Sequence, residues 1–306
     1  MGNFILKRLF SMVVTLFLII TITFFLMHSI PGGPFTGEKK LPKEIEQALM
    51  EKYHLDDPLW KQYTDYLVSV TKWELGPSFK MKGQSVNDII KNSFPASAKL
   101  GLIATLLILT IGVPIGVISA LKQGTWMDGA VMFFAIVGVA VPSFVIATLL
   151  IYVFGLKLQW LPTARWGTYK HMIMPSIALA AYSMAFVARL TRSSMLEVIS
   201  QDYIRTARAK GLSEGIVIFK HALKNALIPV VTYVGPLVAA IMTGSFVVEK
   251  VFAVPGLGRF FVESISNRDY TVIMGVTIFY SIFLVSMMLI VDILYVFIDP
   301  RIKFHD

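Results

Sequence analysis

Six long apolar runs constrain this chain more than any other feature of its sequence. The first extends from Leu9 to Ile30, and five more follow at approximately residues 99–121, 129–156, 172–190, 226–248 and 273–298. About 20 apolar residues are enough for a helix to cross the hydrocarbon core of a bilayer. Backbone N–H and C=O groups need internal partners there, so helices are the simplest spanning structures. The pattern predicts an all-α polytopic membrane protein with six transmembrane helices.

Composition agrees with this prediction and limits the functions open to the chain. Of its 306 residues, 56% are hydrophobic and 15% are charged, which is typical of a protein that lies in a bilayer. The formal net charge is +9, but no polar domain is present to carry a nucleic-acid surface, so we expect no nucleic-acid partner. The sequence has no cysteine, which excludes disulfides, thiol catalysis and Cys-ligated metals.

The distribution of basic residues predicts the orientation. Six spans place both termini on one side. The short segments predicted to face that side carry twelve Lys and Arg, whereas the outward loops around 157–171 and 249–272 carry six. Basic residues concentrate in cytoplasmic loops, so we expect both termini in the cytoplasm. A signal peptide is the alternative interpretation of Lys7, Arg8 and the first run, but no small-x-small cleavage site follows them.

A polar segment separates the first two runs and suggests a cap outside the membrane. Pro42 and Asp57–Pro58 each begin a predicted helix, and Ser85 with Asp88 forms a capping-box pattern for a third. We therefore divide the chain into an N-terminal helix (1–30), an extracytoplasmic cap (31–93) and a membrane core (94–298). Contact with a receptor and a passive lid on the helix bundle both remain open as roles for the cap.

The longest polar stretch between the later runs predicts a docking element at about 191–225. Asp202 begins a short Ala-rich helix, Gly211 supplies a left-handed stop, and Ser213 caps a second helix. Small residues allow a partner's backbone to approach, and basic ones offer hydrogen bonds to acidic groups. A purely topogenic role for the charges is the alternative. The candidate docking residues are Tyr203, Arg205, Thr206, Ala207, Arg208, Ala209, Lys210, Gly211 and Leu212.

Polar and helix-bending residues within the apolar runs are further candidates for functional or packing roles. Asp292 is the only acid in a predicted span, and an intramembrane carboxylate is a functional candidate by default. Its position near the inner end also fits a role in capping or bridging helices. The stretch Gly112–Gly116 should permit close helix packing. Four prolines, for which packing and gating roles are both open, can kink their helices: Pro114, Pro142, Pro175 and Pro236.

Enzymatic motifs are missing from the sequence. It contains no G-x-x-x-x-G-K-[ST] loop for nucleotide phosphates, no H-E-x-x-H zinc pair and no G-x-S-x-G nucleophile turn. We therefore expect no catalytic residue, metal or cofactor in this chain. The sequence also lacks the internal repeat that many secondary transporters carry.

The docking element resembles the "EAA" loop of binding-protein-dependent ABC importer permeases. That pattern is Glu-Ala-Ala, three residues, then Gly. Here Arg205 stands at the Glu position, Thr206 and Ala207 at the two Ala positions, and Gly211 matches the Gly. Further stretches are similar to the B-type subunits of the dipeptide/oligopeptide branch: Pro31–Glu38, Lys52–Pro58, Leu75–Phe79, Phe94–Ser97, Val251–Gly258, Asn267–Tyr270 and Asp299–Arg301.

The resemblance implies a fold, a function and partners. It implies a type I, MetI-like importer core in a bacterial cell membrane, to which the N-terminal helix and cap are added. The implied partners are a second homologous permease, two ATPase subunits that hold ATP and Mg²⁺, and an extracytoplasmic binding protein that delivers peptide. Two rival functions remain. One is a stand-alone channel or proton-coupled transporter that uses Asp292, and the other is a membrane scaffold that recruits a cytosolic partner.

Overall fold

The computed structural model describes residues 2–31, 33–35 and 43–298, which are mostly helical. Its first helices are α1 (Gly2–Ser29), α2 (Lys43–Lys52), α3 (Leu59–Thr71), α4 (Val86–Leu107), α5 (Val113–Leu121), α6 (Trp126–Ala140), α7 (Ser143–Leu150) and α8 (Tyr169–Ile199). They are followed by α9 (Asp202–Ala209), α10 (Glu214–Ile216), α11 (Leu223–Ala226), α12 (Ile228–Met242), α13 (Phe246–Val251), α14 (Leu257–Asn267) and α15 (Tyr270–Ile298). Within the described ranges there is no strand, only one isolated bridge between Pro77 and Ser85.

Three π-helical turns lengthen these helices. They are Ile108–Gly112 between α4 and α5, Ile151–Lys157 after α7, and Val217–Ala222 between α10 and α11. The first lies beside Pro114, whose ring would clash with the carbonyl of Thr110 in a regular α-helix. A π turn widens the backbone at that place, so the helix continues past the proline.

The described helices agree with the predicted number of spans. Four are long and apolar enough to cross a bilayer: Leu6–Ser29, Val86–Leu121, Tyr169–Ile199 and Tyr270–Val291. Two bent pairs, Trp126–Ala140 with Ser143–Lys157 and Glu214–Ala226 with Ile228–Met242, make six if each pair is one span. The prediction of an all-α polytopic membrane protein is confirmed.

Pro142 causes the sharper of the two bends. Val141 and Pro142 are extended, and the helices on either side differ in direction by 107°. A residue before proline is pushed out of the α conformation, which ends α6 there. This confirms the predicted kink. Pro175 and Pro236 lie inside α8 and α12, which continue past them.

The chain folds into two compact units. One contains Met1–Pro95 and Gly256–Asp306, and the other contains Ala96–Pro255. In the first unit, α1 and α14 pack along α15. The predicted capping box is present there, because Asp88 N–H donates to Ser85 Oγ (3.1 Å) and Ser85 N–H donates to Asp88 Oδ2 (3.2 Å). This pair begins α4 as expected.

The second unit is built around α8, which packs along α5, α6, α7 and α12. Small residues allow α8 to lie close to these neighbouring helices. A Cβ atom added at Gly116 would lie 2.4 Å from the carbonyl oxygen of Ala188, and one at Gly138 would lie 2.9 Å from Ala185 Cβ. The predicted close approach at Gly112–Gly116 is therefore present, and α8 is the neighbour.

Candidate coupling segment

The geometry of α9 follows the predicted boundaries. Gln201 is extended at the N-cap position (φ −72°, ψ 149°), and Asp202 lies in the first turn, where a negative charge favours the helix dipole. Gly211 has φ +74°, the left-handed conformation that glycine adopts at helix ends. The N–H of Leu212 donates to the carbonyl of Ala207 (3.4 Å), which closes the stop.

One face of α9 is buried. Ile204 (0% exposed) and Ala207 (7%) lie in a cluster with Met195 of α8, Val117 of α5 and Val217 of the following π turn. The expectation that Ala207 lies on the docking surface is wrong. Its small side chain allows the close approach of the chain's own helices, and not that of a partner.

The remaining candidate residues are exposed. They are Tyr203, Arg205, Thr206, Arg208, Ala209, Lys210, Gly211 and Leu212. Arg208, however, donates through Nε (2.8 Å) and Nη2 (3.4 Å) to the Glu214 carboxylate across the turn. This exposed pair uses Nε and Nη2 only, so hydrogen bonds from Arg208 to an acidic partner remain a prediction.

The second helix of the segment presents apolar side chains that the sequence reasoning missed. Phe219 is 69% exposed and Ile216 is 44% exposed, whereas Val217 and Ala222 are buried. Asn225 Nδ2 donates to Tyr203 Oη (2.7 Å) and so connects this helix to α9. A helical pattern with Val217 and Ala222 on the inner face would have predicted the exposure of Phe219.

A partly buried ion pair connects α8, against which α9 packs, to α6. Arg192 Nε and Nη2 donate to Asp128 Oδ1 (2.6 Å) and Oδ2 (2.8 Å). Ser119 Oγ at the end of α5 donates to Oδ1 (2.6 Å), and the N–H of Gly124 donates to Oδ2 (3.1 Å). Asp128 is 6% exposed. The pair thus fixes α5, α6 and α8 to one another three residues before Met195, which contacts the buried side of α9.

Asp128 was not predicted as a site residue, because the predicted span began at residue 129. The prediction that Asp292 is the only acid in a span does not hold for the candidate spans of the structure. Asp88 lies in Val86–Leu121, Asp128 in Trp126–Ala140 and Glu197 in Tyr169–Ile199. Two further buried carboxylates lie just outside predicted spans. Glu249 (0% exposed) accepts from Ser97 Oγ at 2.7 Å, and Asp269 (1% exposed) lies before α15. The backbone of Asp292 is helical, but its side chain is outside the described residues.

Residues 112–304 match the family model for the inner membrane component of binding-protein-dependent transport systems, and residues 1–101 match the N-terminal model for such components. The chain belongs to this family. It is therefore a multi-pass membrane component of a binding-protein-dependent transport system, and the predicted membership is confirmed.

Relatives of this membrane component include peptide permeases. The dipeptide transport system permease protein DppB of Bacillus subtilis is 50% identical over all of this chain and 99% of its own length. The oligopeptide transport system permease protein OppB of Salmonella typhimurium is 49% identical over 99% of this chain and all of its own. These similarities extend over the whole sequence, including the cap and the docking element at about 191–225, which we call the candidate coupling segment.

Two solved structures share the fold of the permease core. One is the inward-facing MetNI methionine ABC transporter, with a TM-score of 0.54 at 15% identity over 69% of this chain and 96% of that chain. The other is an amino acid ABC transporter solved with histidines, with a TM-score of 0.52 at 18% identity over 68% and 93%. This likeness confirms the predicted MetI-like importer fold.

Proposed function

We propose that this permease component imports dipeptides or oligopeptides in an ATP-driven transporter. The observation that carries the proposal is the identity of about one half, over the full length, to a dipeptide and an oligopeptide permease. In this proposal an extracytoplasmic binding protein delivers the peptide, and a second homologous permease completes the pathway. Two separate ATPase subunits bind ATP and Mg²⁺, and this chain catalyses no reaction.

The coupling segment is the element that we assign to an ATPase subunit. Its exposed apolar side chains, Ile216 and Phe219, are unusual in a polar stretch, and Arg205 and Lys210 are exposed positive charges in the same segment. Buried apolar anchors surrounded by charged residues are typical of protein interfaces.

The buried side of α9 supports a mechanical role for the segment. Ile204 and Ala207 pack against Met195 at the end of α8, so a displaced α9 would carry that end of α8 with it. Packed helices move as rigid bodies between discrete arrangements. Closure of the ATPases would therefore change the bundle from inward-facing to outward-facing, provided that the docked contacts differ between the two states.

Phe219→Ser should separate the permease from its ATPase subunits. Loss of a buried aromatic anchor at an interface costs about 2 kcal/mol or more, so we expect roughly thirtyfold less ATPase in affinity purifications of the tagged permease, with ATP-dependent peptide uptake reduced in parallel. Trp160→Ser is the matched control, because Trp160 is equally exposed but lies in a loop predicted to face outward. Normal ATPase recovery with Phe219→Ser would contradict the docking assignment.

The same pair of measurements separates the rival functions. A stand-alone channel or proton-coupled transporter would purify without ATPase subunits and would transport peptide without ATP. A scaffold would co-purify with a cytosolic protein that binds the coupling segment, but it would show no peptide uptake.

Single cysteines should report the proposed orientation, with both termini in the cytoplasm. The chain has no native cysteine. Lys72 and Ser213 are exposed, and neither side chain caps a helix through a hydrogen bond. In intact cells we expect Lys72→Cys to react with a membrane-impermeant maleimide, and Ser213→Cys to react only after the membrane is opened. Labelling of Ser213→Cys from outside would show that the orientation is inverted. The coupling segment would then lie on the side of the membrane opposite to the ATPase subunits.

A further inference from the structure

Two exposed surfaces of the second unit differ in chemistry, although both belong to candidate membrane spans. The exposed side of α6 carries large apolar side chains, namely Phe133, Phe134, Ile136 and Val137, which suit the acyl chains of lipid. The exposed side of α12 carries Thr232, Pro236 and Ala240, each four residues from the next. α12 is described along its whole length and exposes no large apolar side chain. Its exposed face therefore differs from a lipid-covered surface.

α8 extends this surface onto a neighbouring helix. Tyr182 (50% exposed), Phe186 and Arg189 follow one another four and three residues apart, so they share one face of α8. The ring centroids of Phe186 and Tyr233 of α12 are 4.4 Å apart, which brings the two faces together. We call the combined surface the polar strip and define it by Tyr182, Arg189, Thr232 and Pro236.

Arg189 is the charged member of the polar strip, and its side chain is partly exposed. Its Cζ atom lies 5.9 Å from the ring centroid of Phe186. In the part of the chain that the structure describes, the Arg189 guanidinium has neither a salt-bridge carboxylate nor a hydrogen-bond acceptor. Arg192, one turn further along α8, instead donates through Nε and Nη2 to Asp128. One arginine of α8 is thus structural, whereas the five N–H donors of the other are available.

The chemistry of Arg189 selects an anion. Ionisable residues within membrane spans commonly mark the pathway of a substrate or an ion. A guanidinium group binds a carboxylate through two parallel hydrogen bonds, and it keeps its charge at any physiological pH. The nearest acid in the sequence of α8 is Glu197, two turns away, and α12 contains none. A carboxylate for Arg189 therefore comes from another molecule.

We propose that Arg189 lines the route of the peptide through the membrane and binds the C-terminal carboxylate of the peptide as it passes. The choice of a peptide rests on the proposed function. A linear peptide carries this carboxylate whatever its side chains are, so one arginine serves many sequences. A partly hydrated ion pair is weak, which suits a site that must release the peptide again.

The test uses the complete transporter, assembled from this chain and its partner subunits, in lipid nanodiscs without the binding protein. Saturation-transfer NMR follows titrations with three probes. We expect trialanine and N-acetyl-trialanine to bind equally, because both keep the carboxylate. Trialanine amide should bind about three- to tenfold more weakly, because its uncharged end forms no ion pair with the guanidinium.

Arg189→Gln locates the site. Trialanine should bind this variant about three- to tenfold more weakly, whereas the binding of trialanine amide should not change. Arg189→Lys keeps the charge without the planar fork, so its preference for trialanine should lie between those of Arg189→Gln and the natural chain. Lys122→Gln is the matched control, because Lys122 is an exposed basic residue of the same unit outside the polar strip. It should retain the full preference.

The comparison of trialanine with its amide within each variant separates the carboxylate contact from a loss of folding. A damaged transporter would bind both probes more weakly and would keep their ratio. An unchanged ratio in Arg189→Gln, or no trialanine binding to the natural transporter, would overturn the inference.

Two other sources of an anion give results of their own, and either one overturns the inference. If Arg189 binds a phospholipid phosphate, Arg189→Gln keeps the preference for trialanine and loses the thermal stabilisation that phosphatidylglycerol gives the natural transporter. If Arg189 pairs with an acid of the second permease, Arg189→Gln keeps the preference and lowers the recovery of that subunit in affinity purification.

Uptake of trialanine by the complete transporter with its binding protein is measured alongside. ATP-dependent uptake, combined with a probe preference that Arg189→Gln does not change, removes this inference and leaves the proposed function intact. Binding that depends on Arg189, without ATP-dependent uptake, supports the carboxylate site and removes the proposed function.

Discussion

Arg192→Met should destabilise the permease by about 3–5 kcal/mol, because it leaves the Asp128 carboxylate buried without its cationic partner. The carboxylate keeps the hydrogen bonds from Ser119 and Gly124, but neither carries a compensating charge. Methionine preserves most of the side-chain volume, so the loss reports the charge and not a cavity. We expect a markedly lower thermal unfolding temperature in detergent and a lower abundance in the membrane.

A second substitution distinguishes a buried charge from lost packing. Asp128→Asn combined with Arg192→Met removes both charges, and should therefore recover part of the stability that Arg192→Met loses. Arg205→Met is the control, since Arg205 contacts Asp202 at 3.5 Å in an exposed pair worth about 0.5 kcal/mol. If Arg192→Met and Arg205→Met unfold at the same temperature, the Arg192–Asp128 pair stabilises the permease no more than an exposed ion pair does.

Asp269→Ala is expected to have an effect of similar size in the other unit. The carboxylate accepts from Ser78 Oγ, from the N–H groups of Phe79 (3.2 Å) and Lys80 (3.3 Å), and from Thr271 Oγ1 (3.0 Å). Alanine leaves the Ser78 hydroxyl and the Phe79 N–H without this partner at a buried position, at about 1–3 kcal/mol for each one that water does not reach. Thr271 Oγ1 keeps the carbonyl of Pro77 (2.6 Å), and the N–H of Lys80 keeps Ser78 Oγ (3.2 Å). We expect several kcal/mol of lost stability in total.

Asp269→Asn keeps one acceptor oxygen and should lose about half as much stability. Asp88→Ala provides the comparison, because Asp88 caps α4 at an exposed position and its removal should cost about 1 kcal/mol. The thermal unfolding temperatures of the natural chain, Asp269→Ala, Asp269→Asn and Asp88→Ala give the order of their stabilities. An Asp269→Ala protein that unfolds like Asp88→Ala would show that water satisfies the donors at this position.

Features governed by local chemistry were predictable from the sequence. The bilayer sets the length of apolar runs, so hydropathy located the spans, with the first at Leu9–Ile30 observed as Leu6–Ser29. The left-handed conformation at Gly211 and the capping box of Ser85 and Asp88 each depend on a few neighbouring residues. Such signals need no knowledge of the rest of the fold.

Features that depend on distant residues were not predictable. Alanine is compatible with both a buried and an exposed face, so the sequence could not show that Ala207 packs against Met195. The partner of Asp128 lies 64 residues away, and a charged residue at the edge of an apolar run usually marks the end of a span. The same limit applies to the cavity of about 220 Å³ that is lined by Phe24 of α1, Tyr66 of the cap and Tyr270 of α15.

The first π-helical turn determines which residue of α5 meets α8. A π turn accommodates one residue more than an α turn, and one residue rotates a helix by roughly 100°. Without Ile108–Gly112 in this form, Gly116 would be rotated away from Ala188, and Ile115 or Val117 would be turned toward a backbone that has no room for a Cβ atom. The π turn thus rotates α5 relative to the hydrophobic pattern of α4, so that Gly116 faces α8.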